Sequence, residues 1–577
     1  MDKKQAAPSP HLTQPKRRIT IAGIALPLAI ILLFYFLRFL SSARSRPVQR
    51  QEQIHHEGEL ITWVPCGEAA GHPLECSKIT VPMDHFAPQN LTRAVEHGHI
   101  FTIPLIRMRS KNATESIFIN PGGPGGSGVG FLYHIGEELN AIIGEGYHIL
   151  SFDPRGVNGS SPKAECYPDD ETRRTLSRLR TGRLEDSGEI YSWTKNFVQA
   201  CYDTMGEHAK YINTPQTAAD MNHILDSIGQ KDMIYWGFSY GTLLGQTYAT
   251  MYPELSKRII IDGVGNLNNW YGRLDHEQEW CTDTENVLQG FFDECIKAGS
   301  DNCPLAAFGS TGGELRDAVF SFLDKLKDEP LSVYVNNTIY GLFDYAKVLR
   351  DGIFAFMYSP QKQWYFAADS LAKLLQGNAT DAFMVYGRGD AFSAIREASQ
   401  IVMFNDGKTG PAYWSQDRQD LLDEIVPLAK YSVFSMIDVP NFFGKQQWIV
   451  PRTHNFVPQR RVRTAHPLLI LSTTYDPGCP LVSAQTAKEM FEGSQIVEVK
   501  TYGHCSNAMP SVCVARHVRA YLHEGKLPEK HTQCDVEGGY FIKPGSGDDG
   551  ETMEAMGWFG DEEMDQIHLA QVRLARK

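Results

Sequence analysis

Residues 233–249 read "MIYWGFSYGTLLGQTYA". At the centre, Ser239 has Gly237 two positions before it and Gly241 two positions after. The apolar run Met233–Trp236 has the length of a buried strand, and the residues after Gly241 suit a helix. A serine on such a strand-to-helix turn is exposed on a tight bend, where side chains at the flanking positions would collide, so glycine is needed at both. The rival is an ordinary glycine-rich loop. Glycine makes up 50 of 577 residues, and composition alone yields about 0.26 chance matches to Gly-x-Ser-x-Gly. The motif therefore counts only with its flanks, and both flanks are of the kind it requires.

Other apolar runs end in the same manner. "SIFINPGGPGGSG" starts at Ser116, "YHILSFDPRGVNGSSP" at Tyr147, "SKRIIIDGVGN" at Ser256, "PLLILSTTYDPGCP" at Pro467 and "SQIVEVKTYGHC" at Ser494. Helical spacing lies between them, as in residues 217–229, where Met221, Ile224, Leu225 and Ile228 share one face. Strands alternating with helices predict an α/β fold whose sheet is mostly parallel and covered on both faces. The glycines and acids stand at the C-terminal ends of the strands, where an open α/β sheet places its site. From 266 to 440 the rhythm becomes helical and aromatic, which predicts an inserted helical cap.

Three groups make Ser239 a candidate nucleophile. A serine alcohol needs a base to take its proton. In this architecture the acid and the base follow the serine in that order. Asp476 ends one late strand and His504 follows the next; the rival acid is Asp262, and His148, His517, His523 and His531 are rival bases. Acyl transfer also builds charge on a carbonyl oxygen, which backbone N–H groups must meet. The expected donors are Gly123, in the loop after "SIFI", and Tyr240. A phosphate-binding reading of that loop fails for want of the Lys-Ser/Thr of a P-loop, and its prolines remove donors. Asp153 and Arg155 are expected to form a buried turn-stabilising pair. No metal-binding array or cofactor motif is present, so neither is expected.

The net charge of −13 argues against nucleic acid as a partner. Ile19–Leu37 is uncharged and, at about 1.5 Å per residue, long enough to cross the hydrocarbon layer. Its length favours an uncleaved anchor; cleavage near Ser41-Ser42-Ala43, giving a secreted protein, is the alternative. Sequons at Asn90, Asn112, Asn158, Asn336 and Asn378, and all 11 cysteines, lie beyond this run. The local pairs Cys66/Cys76, Cys295/Cys303 and Cys513/Cys534 look like disulfides of an oxidising compartment. An odd total leaves at least one thiol unpaired. The expected organisation is a cytosolic tail (1–18), a transmembrane signal-anchor (19–40), a stalk (41–58), the sheet domain (59–265 and 441–540) interrupted by the cap (266–440), and a flexible tail (541–577) with a short helix near Met564–Ala575. The body would then be lumenal or extracellular. No oligomeric state is assigned.

"NPGGPGGSG", "FDPRGVNGSSP", "GFSYGTLLGQTYATMYPE", "IDGV", "TTYDPGCPL" and "GHCS" occur in that order. They resemble the tripeptidyl-aminopeptidase-like and prolyl-aminopeptidase-like α/β-hydrolases, over residues 63–540. The resemblance implies an α/β-hydrolase fold, a Ser239–Asp476–His504 triad, Gly123 and Tyr240 at the oxyanion hole, and release of amino acids or short peptides from free N-termini. It also implies acidic cap residues that hold the substrate ammonium group. Cys479 departs from the family, which often has threonine after the acid, and the cap lacks a cysteine near "IVMFNDG". The expected function is a serine exopeptidase. The alternatives are an esterase or amidase acting on a small molecule and a non-catalytic binding protein on the same scaffold.

Overall fold

Neighbouring residues of the central strands fall into two different apolar clusters. Ile117, Ile119, Ile149, Ile234, Trp236, Ile260, Leu469, Leu471, Val497 and Val499 belong to one. Phe118, Leu150, Tyr235, Ile259, Ile261, Ile470 and Ile496 belong to the other. Side chains alternate across a strand, so a run that is apolar at every position needs cover on both faces. Each fully buried Ile or Leu contributes about 1.5–3 kcal/mol, which makes this double burial the main force holding the sheet.

The computed structural model describes residues 52–88, 91–177, 184–274, 278–388, 393–437, 439–544, 559 and 561–577. Its strands are β1 (Val64–Ala69), β2 (His72–Pro82), β3 (Ile100–Met108), β4 (Glu115–Asn120), β5 (Tyr147–Phe152), β6 (Met233–Phe238), β7 (Ser256–Asp262), β8 (Leu331–Asn336), β9 (Ile339–Phe343), β10 (Leu469–Tyr475), β11 (Gln495–Tyr502) and β12 (Thr532–Cys534). Ten of them form one sheet in the order β1-β2-β3-β5-β4-β6-β7-β10-β11-β12. β1, β2, β3 and β5 pair antiparallel in turn. From β5 through β4, β6, β7, β10 and β11 to β12 every pairing is parallel. The helices Gly128–Ile143 and Val512–Arg519 cover one face, and Thr214–Ser227, Tyr240–Met251 and Leu481–Met490 the other.

The cap has a core of its own, built from Phe291, Phe292, Leu315, Leu323, Trp364, Leu371 and Phe383 among others. Tyr475 and Tyr502 at the C-terminal ends of β10 and β11 pack against it. It thus sits over the rim expected to hold the site. The cap is not wholly helical: β8 and β9 form an antiparallel hairpin within it, with Tyr334 and Tyr340 stacked across the pair at 6.2 Å.

One expected boundary moves. The last residues of the expected stalk pair with the body: Ile54 exchanges backbone hydrogen bonds with Trp63 at 2.8 and 2.9 Å. The helix expected near Met564–Ala575 is present as Glu562–Arg576, and its Ile567, Ala570 and Leu574 join the cluster of the Gly128–Ile143 helix. Its apolar stripe is what docks it. The expected membrane span, 19–40, lies outside the described residues, as does Asn90. Among the described residues no helix is long and apolar enough to cross a membrane.

Disulfides join Cys66–Cys76, Cys295–Cys303, Cys513–Cys534 and, beyond the local pairs, Cys166–Cys201. Cys479 and Cys505 are free thiols. Asn112, Asn336 and Asn378 are exposed. Asn158 is exposed too, but its amide nitrogen donates to Asp153 at 2.8 Å and to Ser127 at 3.1 Å, an engagement that opposes glycan attachment there.

Candidate active site

Ser239 follows β6 and has φ +56°, a left-handed conformation that a non-glycine residue adopts only at a cost of about 1–3 kcal/mol. The surroundings enforce it. Ser239 N–H donates to the Asp262 carbonyl at 2.9 Å, and its carbonyl accepts from Thr242 N and Thr242 Oγ1 at 2.8 and 2.6 Å. Both flanking glycines are needed for space. A Cβ at Gly237 would lie 2.4 Å from the Gly241 carbonyl oxygen, and one at Gly241 would lie 2.8 Å from that of Asn120. The neighbours Phe238 and Tyr240 are buried while Ser239 is half-buried. The turn therefore presents this one side chain.

Asp476 follows β10 and is fully buried. Its carboxylate accepts from Gly478 N and Cys479 N at 2.8 Å each, from Cys505 N at 3.2 Å, and from His504 Nδ1 at 2.9 Å to both oxygens. A carboxylate at Nδ1 selects the tautomer that carries its proton there, leaving the Nε2 lone pair for a base. Burial alone would lower the imidazole pKa, but the charge and hydrogen bond of Asp476, aided by Asp262, outweigh it and raise it. The residue after His504 touches the nucleophile's turn: Cys505 Sγ lies 3.4 Å from the Asp262 carbonyl oxygen that holds Ser239 N–H, and it also interacts with the Ser239 main chain. The loops bearing Ser239 and His504 are thus in direct contact. Cys505 is no rival nucleophile, because burial and the Asp262 and Asp476 charges push its thiol well above its ordinary value.

The glycine loop after β4 abuts the same turn. A Cβ at Gly122 would stand 2.2 Å from the Phe238 carbonyl oxygen and 2.7 Å from Tyr240 N. Gly122 has φ +85° and Gly123 φ +86°. The Gly122 carbonyl accepts from Gly126 N at 3.1 Å. In a trans peptide the N–H opposes the carbonyl, so the Gly123 N–H points away from Gly126. Gly122, the residue before Gly123, thus packs against Tyr240 N.

The rivals have other work. Asp262 accepts from Ser506 N at 2.7 Å, Ser506 Oγ at 2.6 Å and Trp236 Nε1 at 3.4 Å; burial pushes its carboxyl up to about 6. It braces the loop after His504 and makes no hydrogen bond to the imidazole. His148 is buried and accepts from Ser110 N–H, with its pKa lowered to about 3 by burial and by Arg109 and Arg107. His523 bonds the Ile143 carbonyl and His531 the Glu498 carboxylate. Ligand atoms of Cys513, His517 and Cys534 lie within 4.8 Å of one another, but the disulfide occupies both sulfurs. The expected Asp153–Arg155 pair does not form. Arg155 binds Asp220 through Nε at 2.7 Å and Nη2 at 2.6 Å, while Asp153 accepts from Ser127, Val129, Asn158 and Gly159.

Several residues around the candidate triad escaped the sequence reading. Tyr358, from the cap, accepts His504 N–H on its carbonyl at 2.8 Å and sets its ring edge-on to the imidazole at 4.9 Å. Ser399 and Asp406, also from the cap, reach Gly123 and Thr214. None sits in a motif, and contacts between residues this far apart leave no periodic trace.

Residues 442–534 match the family described as TAP-like protein, and this span carries both Asp476 and His504. The chain is a serine hydrolase that carries a TAP-like domain over these residues. It is homologous, at modest identity, to the serine protease Hip1 of Mycobacterium tuberculosis, with 26% identity over 501 residues, covering 83% of this chain and 91% of the relative. A tripeptidyl aminopeptidase of Streptomyces lividans is 25% identical over 492 residues, covering 82% and 86%. Carboxylesterase B of Mycobacterium tuberculosis is 24% identical over 494 residues, covering 82% and 89%.

Proposed function

We propose that this hydrolase is a serine exopeptidase that releases amino acids or short peptides from free N-termini through an acyl-enzyme on Ser239. The observation that carries this reading is the Asp476–His504 pair on the loop that touches the strained turn of Ser239. In this mechanism His504 Nε2 takes the Ser239 proton as Oγ bonds to the substrate carbonyl carbon. The N–H groups of Tyr240 and Gly123 meet the oxyanion. Collapse breaks the C–N bond, and the imidazolium gives its proton to the leaving amine. Water then repeats the sequence and frees the acyl group.

The likeness to a serine protease and a tripeptidyl aminopeptidase over more than four-fifths of the chain supports a peptide substrate. The likeness to a carboxylesterase at similar coverage favours the second reading, an esterase on the same triad. The apolar run 19–37 extends the proposal to a membrane-anchored enzyme, and the four disulfides support placing its body in an oxidising compartment. A fluorophosphonate label should mark the wild type and not Ser239→Ala; equal labelling removes Ser239 as nucleophile. Aminoacyl and tripeptidyl reporter amides with free N-termini should then be cleaved with higher kcat/KM than their N-acetylated forms and than simple esters. The reverse order selects the esterase.

A further inference from the structure

One helix of the cap, Ser393–Asp406, touches both sides of the proposed oxyanion hole. Ser399 Oγ donates to the Gly123 carbonyl at 2.6 Å. Seven residues on, two helical turns along the same face, Asp406 is fully buried and accepts from Thr214 N at 2.8 Å, Thr214 Oγ1 at 2.5 Å and Trp270 Nε1 at 2.8 Å. Thr214 Oγ1 also meets the Tyr240 hydroxyl at 2.5 Å. The threonine has one hydroxyl proton and gives it to Asp406, so the tyrosine must be the donor to Thr214. The chain of bonds is directional, from the Tyr240 phenol through Thr214 to the carboxylate. Trp270 closes it by placing its ring 5.7 Å from that of Tyr240.

The helix is itself firmly seated on the sheet domain. Glu397 accepts from Cys166 N at 3.0 Å and Arg173 Nε at 2.7 Å. Asn405 donates to the carbonyls of Ala209 and Ile212 at 2.8 Å each. At Gly123 the effect is specific. Glycine has no side chain to fix its dihedrals, and the next residue is proline. The peptide before Gly123 is pinned by the Gly126 bond to the Gly122 carbonyl; the peptide after it is pinned by Ser399.

We propose that the Ser393–Asp406 helix is the positioning element of the oxyanion hole, with Ser399 acting through the Gly123 carbonyl and Asp406 acting through Thr214 on Tyr240. This rests on the acyl-transfer reading above. It makes the cap part of the catalytic scaffold: neither Ser399 nor Asp406 touches the reacting atoms, yet together they set the spacing of the two N–H donors.

The test uses the full chain and the best reporter amide. Removing a whole oxyanion donor costs about 10²–10³ in kcat, so loosening one should cost about tenfold. Ser399→Ala should lower kcat about tenfold with KM within about twofold, and Ser399→Thr, which keeps the hydroxyl, should restore most of it. Thr214→Val and Tyr240→Phe should each lower kcat similarly. Their combination should be no worse than either alone, because both break one chain of bonds, whereas Ser399→Ala with Tyr240→Phe should multiply. Affinity for a peptide boronate, which forms a tetrahedral adduct, should fall in step with kcat while product inhibition stays constant. Wild-type kcat in Ser399→Ala, with Ser239→Ala inactive, overturns this proposal alone. Ser239→Ala as active as wild type removes the acyl-transfer reading and this proposal with it.

Discussion

Asp262→Asn separates the electrostatics of the site from its packing. The Asp262 carboxyl is fully buried and its pKa is pushed up to about 6, from an ordinary 3.8, chiefly by loss of water. Between those two values the unfolded chain has released a proton that the folded protein still holds. Stability therefore falls as pH rises through this window. A gap of about two units at about 1.36 kcal/mol each makes the loss about 3 kcal/mol. Asparagine does not titrate, so the variant escapes it. There is also an offset that does not depend on pH. The new side chain's carbonyl oxygen can keep Ser506 N–H and its amide nitrogen can donate to Ser506 Oγ, but that nitrogen then faces the Trp236 indole N–H, donor against donor, at a cost of about 1–3 kcal/mol. The variant should be the less stable protein near pH 4 and should gain about 3 kcal/mol on the wild type by pH 7–8. Urea midpoints at five pH values, with the m-value held constant, give the difference directly. Catalysis offers a second readout. Asp262 is one of two carboxylates that raise His504, so its removal should move the acid limb of kcat/KM to lower pH. A stability difference that stays flat from pH 4 to 8, or an acid limb that moves upward, refutes the reasoning.

Three further outcomes are expected. Asp476→Asn should fold and lose about 10⁴ in kcat, because an amide no longer selects the productive His504 tautomer; burst and steady-state kinetics on a reporter amide measure it. Gly122→Ala should cost far more than Gly123→Ala: the first Cβ meets backbone at 2.2 Å, the second nothing nearer than 3.8 Å, so Gly123→Ala should lose only the roughly 1–2 kcal/mol of its left-handed backbone in a thermal melt. Removing Cys166–Cys201 by a double alanine substitution should cost about 4 kcal/mol for a loop of 35 residues, read from the urea midpoint.

The centre of the sheet was legible because its strands carry unbroken apolar runs such as "IFI", "MIYW" and "III", which a sheet covered on both faces uses. The Asp476–His504 pairing could be anticipated for a related reason: polar residues that interrupt an apolar pattern at strand ends stand out against it. The β8–β9 hairpin also left a signal, since "VYVNNTIYG" alternates about the Asn337-Thr338 turn, but the aromatic content of the cap around it was read as helix. The tail helix was read at nearly its true place, yet what fixes it, the burial of Ile567 and Leu574 against the Gly128–Ile143 helix, depends on a partner more than 400 residues away.

Polar pairing is where sequence proximity misleads. Arg155 has Asp153 two residues away and instead binds Asp220 at 65 residues' distance, because a guanidinium buried in this fold needs a carboxylate aligned with its fork, and the turn has already committed Asp153 to Ser127, Val129, Asn158 and Gly159. Cys166 and Cys201 likewise meet only once the Ser187–Met205 helix is laid against the sheet. The same holds for Ser399 with Gly123, 276 residues apart, and Asp406 with Thr214, 192 apart. Neither serine nor aspartate marks itself on a cap helix, where both read as solvated positions. The candidate triad could be named from the chain because each member follows its own strand. The cap residues that reach Gly123 and Thr214 could not, because each answers to a partner the fold alone supplies.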